Sequence, residues 1–433
     1  MEYDPTPKRP IKEVCKLVMS ESSKRTITAS DKIIPYGKSC IDDSDIEAVA
    51  KILKSNVLTQ GPEVDNFENA FANYIGSSYA TAVSNGTAAL HLSAIALGVS
   101  KGQKIITSPI TFAASANCIR YCEGEVTFSD IDPSTYLLDP EKVEDILRHA
   151  DKGSYTGLIP VDFAGRAVNL EDFRTIANRY DLWILEDSCH APGGYFKDKD
   201  SKKQLCGNGQ YADLAIFSFH PVKHIAAGEG GMITTNDRAL HDKLRTLRTH
   251  GITKDPLDFT NSSTFACGTG KEEAEFPIWY MEMQTLGFNY RLTDIQSALG
   301  LNQLKKAPAG LEKRIKIAKN YHTQFKHEDY ILGQSGDIEG HAYHLYIIEV
   351  EDRLGLYNYL RKKNIHTQIH YIPCHLMPYY RKLGWKEGDL PNAEHYYKRC
   401  ISLPIYPSLS ESDQDFVINS VKDYFMTDTK TTL

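Results

Sequence analysis

Lys223 stands at the end of Phe217-Ser218-Phe219-His220-Pro221-Val222-Lys223, just ahead of Gly228-Glu229-Gly230-Gly231. A lysine that leaves a strand into a glycine-flanked loop can form an imine if burial lowers the proton affinity of its amine. Any single lysine can equally be a surface charge. Ser218, in the same run, offers a hydroxyl to a phosphate. Asp187 ends the apolar run 182–187, where a carboxylate can hold a protonated pyridine nitrogen and keep the ring electron-withdrawing, or cap a loop. Ser84-Asn85-Gly86-Thr87-Ala88 joins a strand pattern to a helical one. Gly86 permits a tight turn there, and the first N–H groups, at Gly86, Thr87 and Ala88, with the Thr87 hydroxyl, can bind an anion. Ordinary helix capping by Asn85 or Thr87 competes with that reading. Gly287-Phe288-Asn289-Tyr290-Arg291 precedes another helical pattern and reads as polar recognition or as a cap.

These residues need a scaffold that brings strand ends together. Short β-rich runs at 79–84, 104–108, 125–130, 157–163, 182–187, 214–219 and 231–235 alternate with helical spacing at 87–97, 112–121, 140–149 and 170–180. Such alternation predicts a largely parallel sheet covered on both faces. The runs near Leu214 and Gly231 are too close for a helical crossover and predict an antiparallel pair. Further helical patterns lie at 44–53, 64–74 and 294–304. Residues 306–425 differ: helix 310–327, strand 344–350, helix 353–363, a polar-aromatic stretch 366–378 and a last helix 410–424 predict a smaller α+β domain. The expected division is a flexible extension at 1–33, a large α/β domain at 34–305, the small domain at 306–425 and a tail at 426–433. The charged run 197–204 reads as a solvated loop. Strand ends are where open α/β sheets place ligands. A phosphate cup, the aromatic Phe112, an acid and then a lysine, in that order, fit a pyridoxal-5′-phosphate (PLP) enzyme of aspartate-aminotransferase architecture (fold type I).

The bulk numbers bound the alternatives. The 433 residues are 41% hydrophobic and 24% charged, with a net charge of −7. That balance argues against a nucleic-acid partner. No run approaches the roughly 20 apolar residues of a membrane span, and the N-terminus lacks the apolar core of a signal peptide. Nine scattered cysteines without a CxxC pair read as reduced thiols rather than as metal ligands. A cytoplasmic protein without a metal is expected.

Ile34-Pro35-Tyr36, Leu58-Thr59-Gln60-Gly61-Pro62, Ser108-Pro109-Ile110-Thr111-Phe112, His220-Pro221-Val222-Lys223, Gly228-Glu229-Gly230-Gly231, Gly287-Phe288-Asn289-Tyr290-Arg291 and Ser402-Leu403-Pro404 together resemble the DegT/DnrJ/StrS sugar aminotransferases, from about residue 34 to about 425. Trp279-Tyr280-Met281-Glu282-Met283-Gln284 is most similar to the pseudaminic-acid branch, whose substrate is a UDP-linked 4-keto-6-deoxy-N-acetylhexosamine. The resemblance implies Lys223 as Schiff-base lysine and general base, Asp187 on the pyridinium nitrogen, Phe112 stacked on the ring and His190 at its hydroxyl. It also implies phosphate contacts from Gly86, Thr87, Ala88 and Ser218, and from Asn289 of the second subunit of a homodimer with shared active sites. Tyr36, Tyr290, Arg291, His370, Tyr371 and His375 are the implied substrate-binding residues, and the partners are a nucleotide sugar and an amino donor, expected to be L-glutamate.

Ala226-Ala227 replaces the usual Thr-Thr, Asp162 a common His, and Ser188-Cys189 the small residues expected before His190; none removes a catalytic group. His366 and His370 have the i, i+4 spacing of a helical metal pair, but Tyr371-Ile372-Pro373 is a poor helix. The competing readings are an aminotransferase for another nucleotide-linked keto sugar, such as 4-keto-6-deoxyglucose, a sugar dehydratase, and a non-catalytic PLP-binding regulator. The dehydratase branch carries His where Lys223 stands.

Overall fold

A computed structural model describes residues 32–268 and 275–428. All but the last two residues of the extension expected at 1–33 lie outside that range.

Seven strands form the main sheet: β1 (Tyr79–Val83), β2 (Lys104–Thr107), β3 (Glu125–Phe128), β4 (Tyr155–Ile159), β5 (Trp183–Asp187), β6 (Leu214–Ser218) and β7 (Gly231–Thr235), in the order β1-β7-β6-β5-β4-β2-β3. Strand β7 runs antiparallel to both its neighbours, and the pairings from β6 to β3 are parallel. Because side chains alternate along a strand, successive apolar residues feed two cores. Ile105, Leu185, Ile216 and Ile233 meet Ala89 and Leu92 of α1 (Gly86–Ala96), Ile119 of α2 (Ala114–Tyr121) and Leu244 of α3 (Arg238–Arg248). Their neighbours Ile106 and Ile184 face Phe173 and Ala177 across the sheet, while Phe217 and Met232 face Phe67 and Phe71. Both faces are therefore covered, as the near-continuous apolar strands require.

The register sets the site. Gly231 pairs with Val83 on one side and with Ser218 on the other. A Cβ at Gly231 would lie 2.5 Å from the Asn85 carbonyl oxygen, so the turn that starts α1 packs directly on the backbone of β7 and beside the end of β6.

A smaller antiparallel sheet follows, with β8 (Gly333–Gln334), β9 (Tyr346–Glu349) and β10 (Cys400–Leu403) in that order. Its core gathers Tyr321, Tyr346, Leu356, Ile401, Val417 and Val421. The segment after Ile365–His366 returns to the main sheet, where the Cys374 N–H donates to the Pro109 carbonyl over 2.8 Å. That return carries His370 and Tyr371 over the strand ends.

Four features depart from the expected layout. The patterns at 294–304 and 310–327 are one helix, α4 (Asp294–Phe325), which runs through Pro308. A proline removes a single N–H bond, and buried residues on both sides of it, Leu304, Ala307, Arg314 and Ile317, hold the helix in place. A boundary at 305 thus falls inside a continuous element. Ile34–Pro35 pairs in parallel with Ile365–His366, which docks residues assigned to the large domain on the small one. The charged run near 200 forms a short hairpin, Tyr195–Lys197 with Lys203–Leu205. The last helix, Glu411–Asp428, continues past 425.

Two glycines test the packing in opposite directions. Gly231→Ala meets a backbone carbonyl that cannot swing away and is expected to lose about 1–3 kcal/mol of stability. Gly310→Ala, inside α4 with only Pro407 Cγ at 3.5 Å, is expected to gain about 0.5–1 kcal/mol. Urea unfolding midpoints of the two variants check both signs.

Candidate active site

The turn Ser84-Asn85-Gly86 leaves β1 and starts α1. The Asn85 side chain caps the helix, accepting the Ala88 N–H over 2.8 Å. Ala88 therefore has its N–H taken by the cap, which corrects the expectation that it serves an anion. The Gly86 and Thr87 N–H groups have no partner among the described residues and remain available. A Cβ on Gly86 would come within 3.0 Å of Ser218 Cβ and 3.3 Å of Ser218 Oγ, so glycine is what lets the hydroxyl of Ser218 stand beside the helix start.

Asp187, the last residue of β5, is buried. Its Oδ2 accepts the Ser115 hydroxyl at 2.6 Å and its Oδ1 the Cys189 N–H at 3.2 Å. No ion pair to Asp187 occurs among the described residues. Such a carboxylate asks for a further donor, since a buried charge is costly unless paired.

Lys223 lies in the loop between β6 and β7. The loop is closed by Phe219 N–H to Gly230 O and Ala227 N–H to Phe219 O, both 2.8 Å, and turns at Gly228 with φ of +80°. Burial pushes the Lys223 amine below the ordinary lysine range, against the opposing pull of Cys189 and Asp187. The amine has no hydrogen-bond or ion-pair partner among the described residues.

His190 is buried with both ring nitrogens engaged. Its Nδ1 accepts the Ala164 N–H at 3.2 Å, which places the ring proton on Nε2, 3.3 Å from the Tyr371 hydroxyl. Burial, and then Lys223, His370 and His224, hold its pKa well below the usual imidazole value, so the ring is neutral. The His344 ring lies 4.3 Å from it, tilted by 37°, and His224 lies 5.8 Å beyond His344, between ring centres. Both are likewise depressed, chiefly by burial. The Arg314 guanidinium also acts on them; it is buried, and its Nη1 donates to the carbonyls of Tyr343, His344 and Ile405. Sequence reasoning missed His344 and Arg314, because only the fold joins α4 and residue 344 to the Lys223 loop. It also missed Ser115, although the spacing of Phe112 and Ser115 on one helical turn was a usable signal.

The remaining expected residues divide. Tyr36 and His370 face each other with ring centres 5.2 Å apart. Phe112, 63% exposed, and Phe163 flank Tyr371 at 6.4 and 6.0 Å. The His370 pKa is pushed down to about 3, by burial and then by Lys223. These residues gather around Lys223 and Asp187. Tyr290 does not join them: its hydroxyl meets His91 Nδ1 at 3.2 Å and its ring stacks on Phe288. Asn289 is exposed and Arg291 half-buried, and neither side chain bonds within the described residues. His375 corrects the expectation that it lines the mouth. It has no exposed surface, its Nε2 lies 3.0 Å from Glu394 Oε1, and its ring packs on Phe128 and Trp385. His366 sits in a two-residue strand, so its helical spacing to His370 does not exist.

An anion cradle with free N–H groups, a buried carboxylate lacking a cation and an unpaired amine of lowered proton affinity match the phosphate, ring nitrogen and aldehyde of PLP. Residues 39–422 match the DegT/DnrJ/EryC1/StrS aminotransferase family. The chain is 37% identical over 399 residues to the spore coat polysaccharide biosynthesis protein SpsC of Bacillus subtilis, covering 90% of this chain and 96% of that one. It is 36% identical over 392 residues to the UDP-4-amino-4,6-dideoxy-N-acetyl-beta-L-altrosamine transaminase of Campylobacter jejuni, covering 89% and 96%. Among solved structures, Helicobacter pylori PseC, an aminotransferase involved in the biosynthesis of pseudoaminic acid, superposes with a TM-score of 0.79 at 30% identity, covering 92% of this chain and 100% of that one. The fold is therefore the PLP-dependent type I fold expected from the sequence.

Asp162, one of the residues at odds with the resemblance, does not face the mouth. It is fully buried beneath it, accepting the Val168 N–H and the Ser188 hydroxyl, each at 2.8 Å. Oxygens of Asp162 and Glu186 and the Cys206 sulfur lie within 4.8 Å of one another. Burial and the adjacent Asp162 push Glu186 well above the usual carboxyl range. The folded chain thus holds a proton that the unfolded chain releases at ordinary glutamate pKa, so this contribution to stability falls as pH rises above about 4.5. Glu186→Gln mimics the protonated form and should remove that slope. Urea midpoints at pH 5 and pH 8 are expected to differ less in the variant than in the parent chain.

Proposed function

The chain belongs to the DegT/DnrJ/EryC1/StrS aminotransferase family, and within that family we propose that it aminates C4 of a UDP-linked 4-keto-6-deoxy-N-acetylhexosamine with L-glutamate as donor. It is a PLP-dependent sugar aminotransferase. The observation that carries the proposal is the convergence of Gly86, Asp187, Ser218 and Lys223 on the carboxyl ends of neighbouring strands, in a chain similar throughout to a transaminase of such a sugar.

Bound PLP supplies the aldehyde that carries the amino group and a ring that withdraws electrons from the carbon losing its proton. The side chains divide the rest of the work. Lys223 would hold the cofactor through its amine and would be the base that moves a proton between carbons; burial makes the neutral, basic form accessible. Asp187 would accept the N–H of the ring nitrogen. His190, whose Nε2 lies beside the Tyr371 hydroxyl, would stand near the ring hydroxyl, and Phe112 would cover the ring. Gly86 and Thr87 N–H groups and the Ser218 hydroxyl would hold the phosphate. Tyr36, His370 and Tyr371 wall the mouth from which the sugar enters.

The enzyme acts as a homodimer. Ile278, Trp279, Met281, Met283 and Leu286 are all more than half exposed, an apolar run that a second subunit would cover, and it leads straight into Asn289. From there the Asn289 amide would reach the phosphate held by the other subunit. A cytoplasmic location accompanies this reading, since nucleotide sugars are made there; no described helix is long and apolar enough to cross a membrane.

Incubating the PLP-loaded protein with L-glutamate and each UDP-linked 4-keto-6-deoxy-N-acetylhexosamine epimer tests the substrate. Amino sugar is expected from one epimer, with Lys223→Ala at least about 1,000-fold slower. Turnover confined to a 4-keto-6-deoxyglucose nucleotide would move the assignment to that sugar. No turnover of any keto sugar would refute it.

A further inference from the structure

Asp187 is held from two directions, and one hold passes through two hydroxyls. Ser115, in the first turn of α2, is fully buried, and Thr111, just before the helix, is 2% exposed. The Ser115 hydroxyl has one proton and three acceptors within reach: the Asp187 carboxylate at 2.6 Å, Thr111 Oγ1 at 2.8 Å and the Phe112 carbonyl at 3.3 Å. The nearest, charged acceptor takes it. With its proton committed, Ser115 can only accept from Thr111 Oγ1, 2.8 Å away. Both bonds therefore have a fixed direction, from Thr111 to Ser115 to Asp187, where water is too excluded to substitute. The Cys189 N–H occupies the other carboxylate oxygen at 3.2 Å. Between them the two donors settle the plane of the carboxylate and leave one lone pair free on each oxygen.

We propose that Thr111 and Ser115 are positioning residues: a one-way hydroxyl relay that fixes the Asp187 carboxylate so that a remaining lone pair faces the ring nitrogen of bound PLP. The proposal rests on the reading of Asp187 as partner of that nitrogen. It also explains why Phe112 lies inside the relay. The turn that carries Ser115 to Asp187 is the turn that presents Phe112, with the Ser115 N–H bonded to the Phe112 carbonyl at 3.2 Å. One turn thus sets both the edge contact and the face contact of the ring.

The test is equilibrium binding of PLP to the apo-protein, followed by the visible absorbance of the bound cofactor, for Ser115→Ala, Thr111→Val and Asp187→Ala. The ring-nitrogen chemical shift of 15N-labelled PLP is recorded in each loaded protein. Ser115→Ala should weaken binding about ten- to hundredfold, the scale of one hydrogen bond to a charged group. Thr111→Val should weaken it about threefold. Both should move the ring-nitrogen signal in the direction Asp187→Ala moves it, while the apo-proteins stay folded and still unfold cooperatively on heating. If Asp187→Ala binds PLP weakly but Ser115→Ala binds it as the parent does with an unmoved signal, the relay is wrong and Asp187 keeps its role. If Asp187→Ala itself binds PLP as the parent does, the reading of Asp187 fails and the relay falls with it.

Discussion

No side chain fits at residue 231, and the site depends on that. With a bare backbone there, the Asn85 carbonyl can lie against β7, and Gly86 can then bring the start of α1 up to Ser218. One antiparallel strand inserted between two others thus sets an anion cradle beside the loop that carries Lys223. A methyl group at either glycine would push the helix start away from the hydroxyl. The chemistry is a consequence of close backbone approach, which only glycine allows without strain.

Around that cradle, burial decides which groups carry charge. Lys223, His190, His224, His344 and His370 crowd one pocket, and each is driven toward its neutral form first by desolvation; for the four imidazoles the positive charge of neighbours pushes the same way. A cluster of five basic groups is tolerable only because most of them surrender their protons. The same condition suits the reaction, which needs an amine that can bind a carbonyl and then carry a proton. Asp187 is the counterweight: an acid held by a hydroxyl and an amide rather than by a cation, which leaves it free for a cofactor.

Much of this was legible in the residues. The seven strand runs were marked as short β-rich stretches between helical spacings, and the antiparallel pair at Leu214 and Gly231 by the shortness of the connection. Lys223, Asp187, Gly86 and Ser218 could be placed at strand ends because each closes or follows an apolar run. What stayed hidden depended on long-range packing. Pro308 suggests a break, yet α4 continues because both its halves are buried. The resemblance put His375 at the mouth, and only the fold reveals the Glu394 carboxylate beside it. Asn85 carried both readings from the start, and the structure assigns the Ala88 N–H to the cap. Ser115 and Arg314 act on groups far away in sequence, 72 residues in the case of Asp187; the spacing from Phe112 could have flagged Ser115, but no local pattern announces Arg314.

The central claim is that a single lysine, Lys223, binds the cofactor in this pocket. Borohydride reduction of the PLP-loaded protein, followed by peptide mass mapping, tests it most directly. The account predicts one phosphopyridoxyl group per chain, on the peptide containing Lys223, and none when Lys223 is replaced by alanine. Modification centred on any other lysine, or retention of the label in that variant, would contradict it.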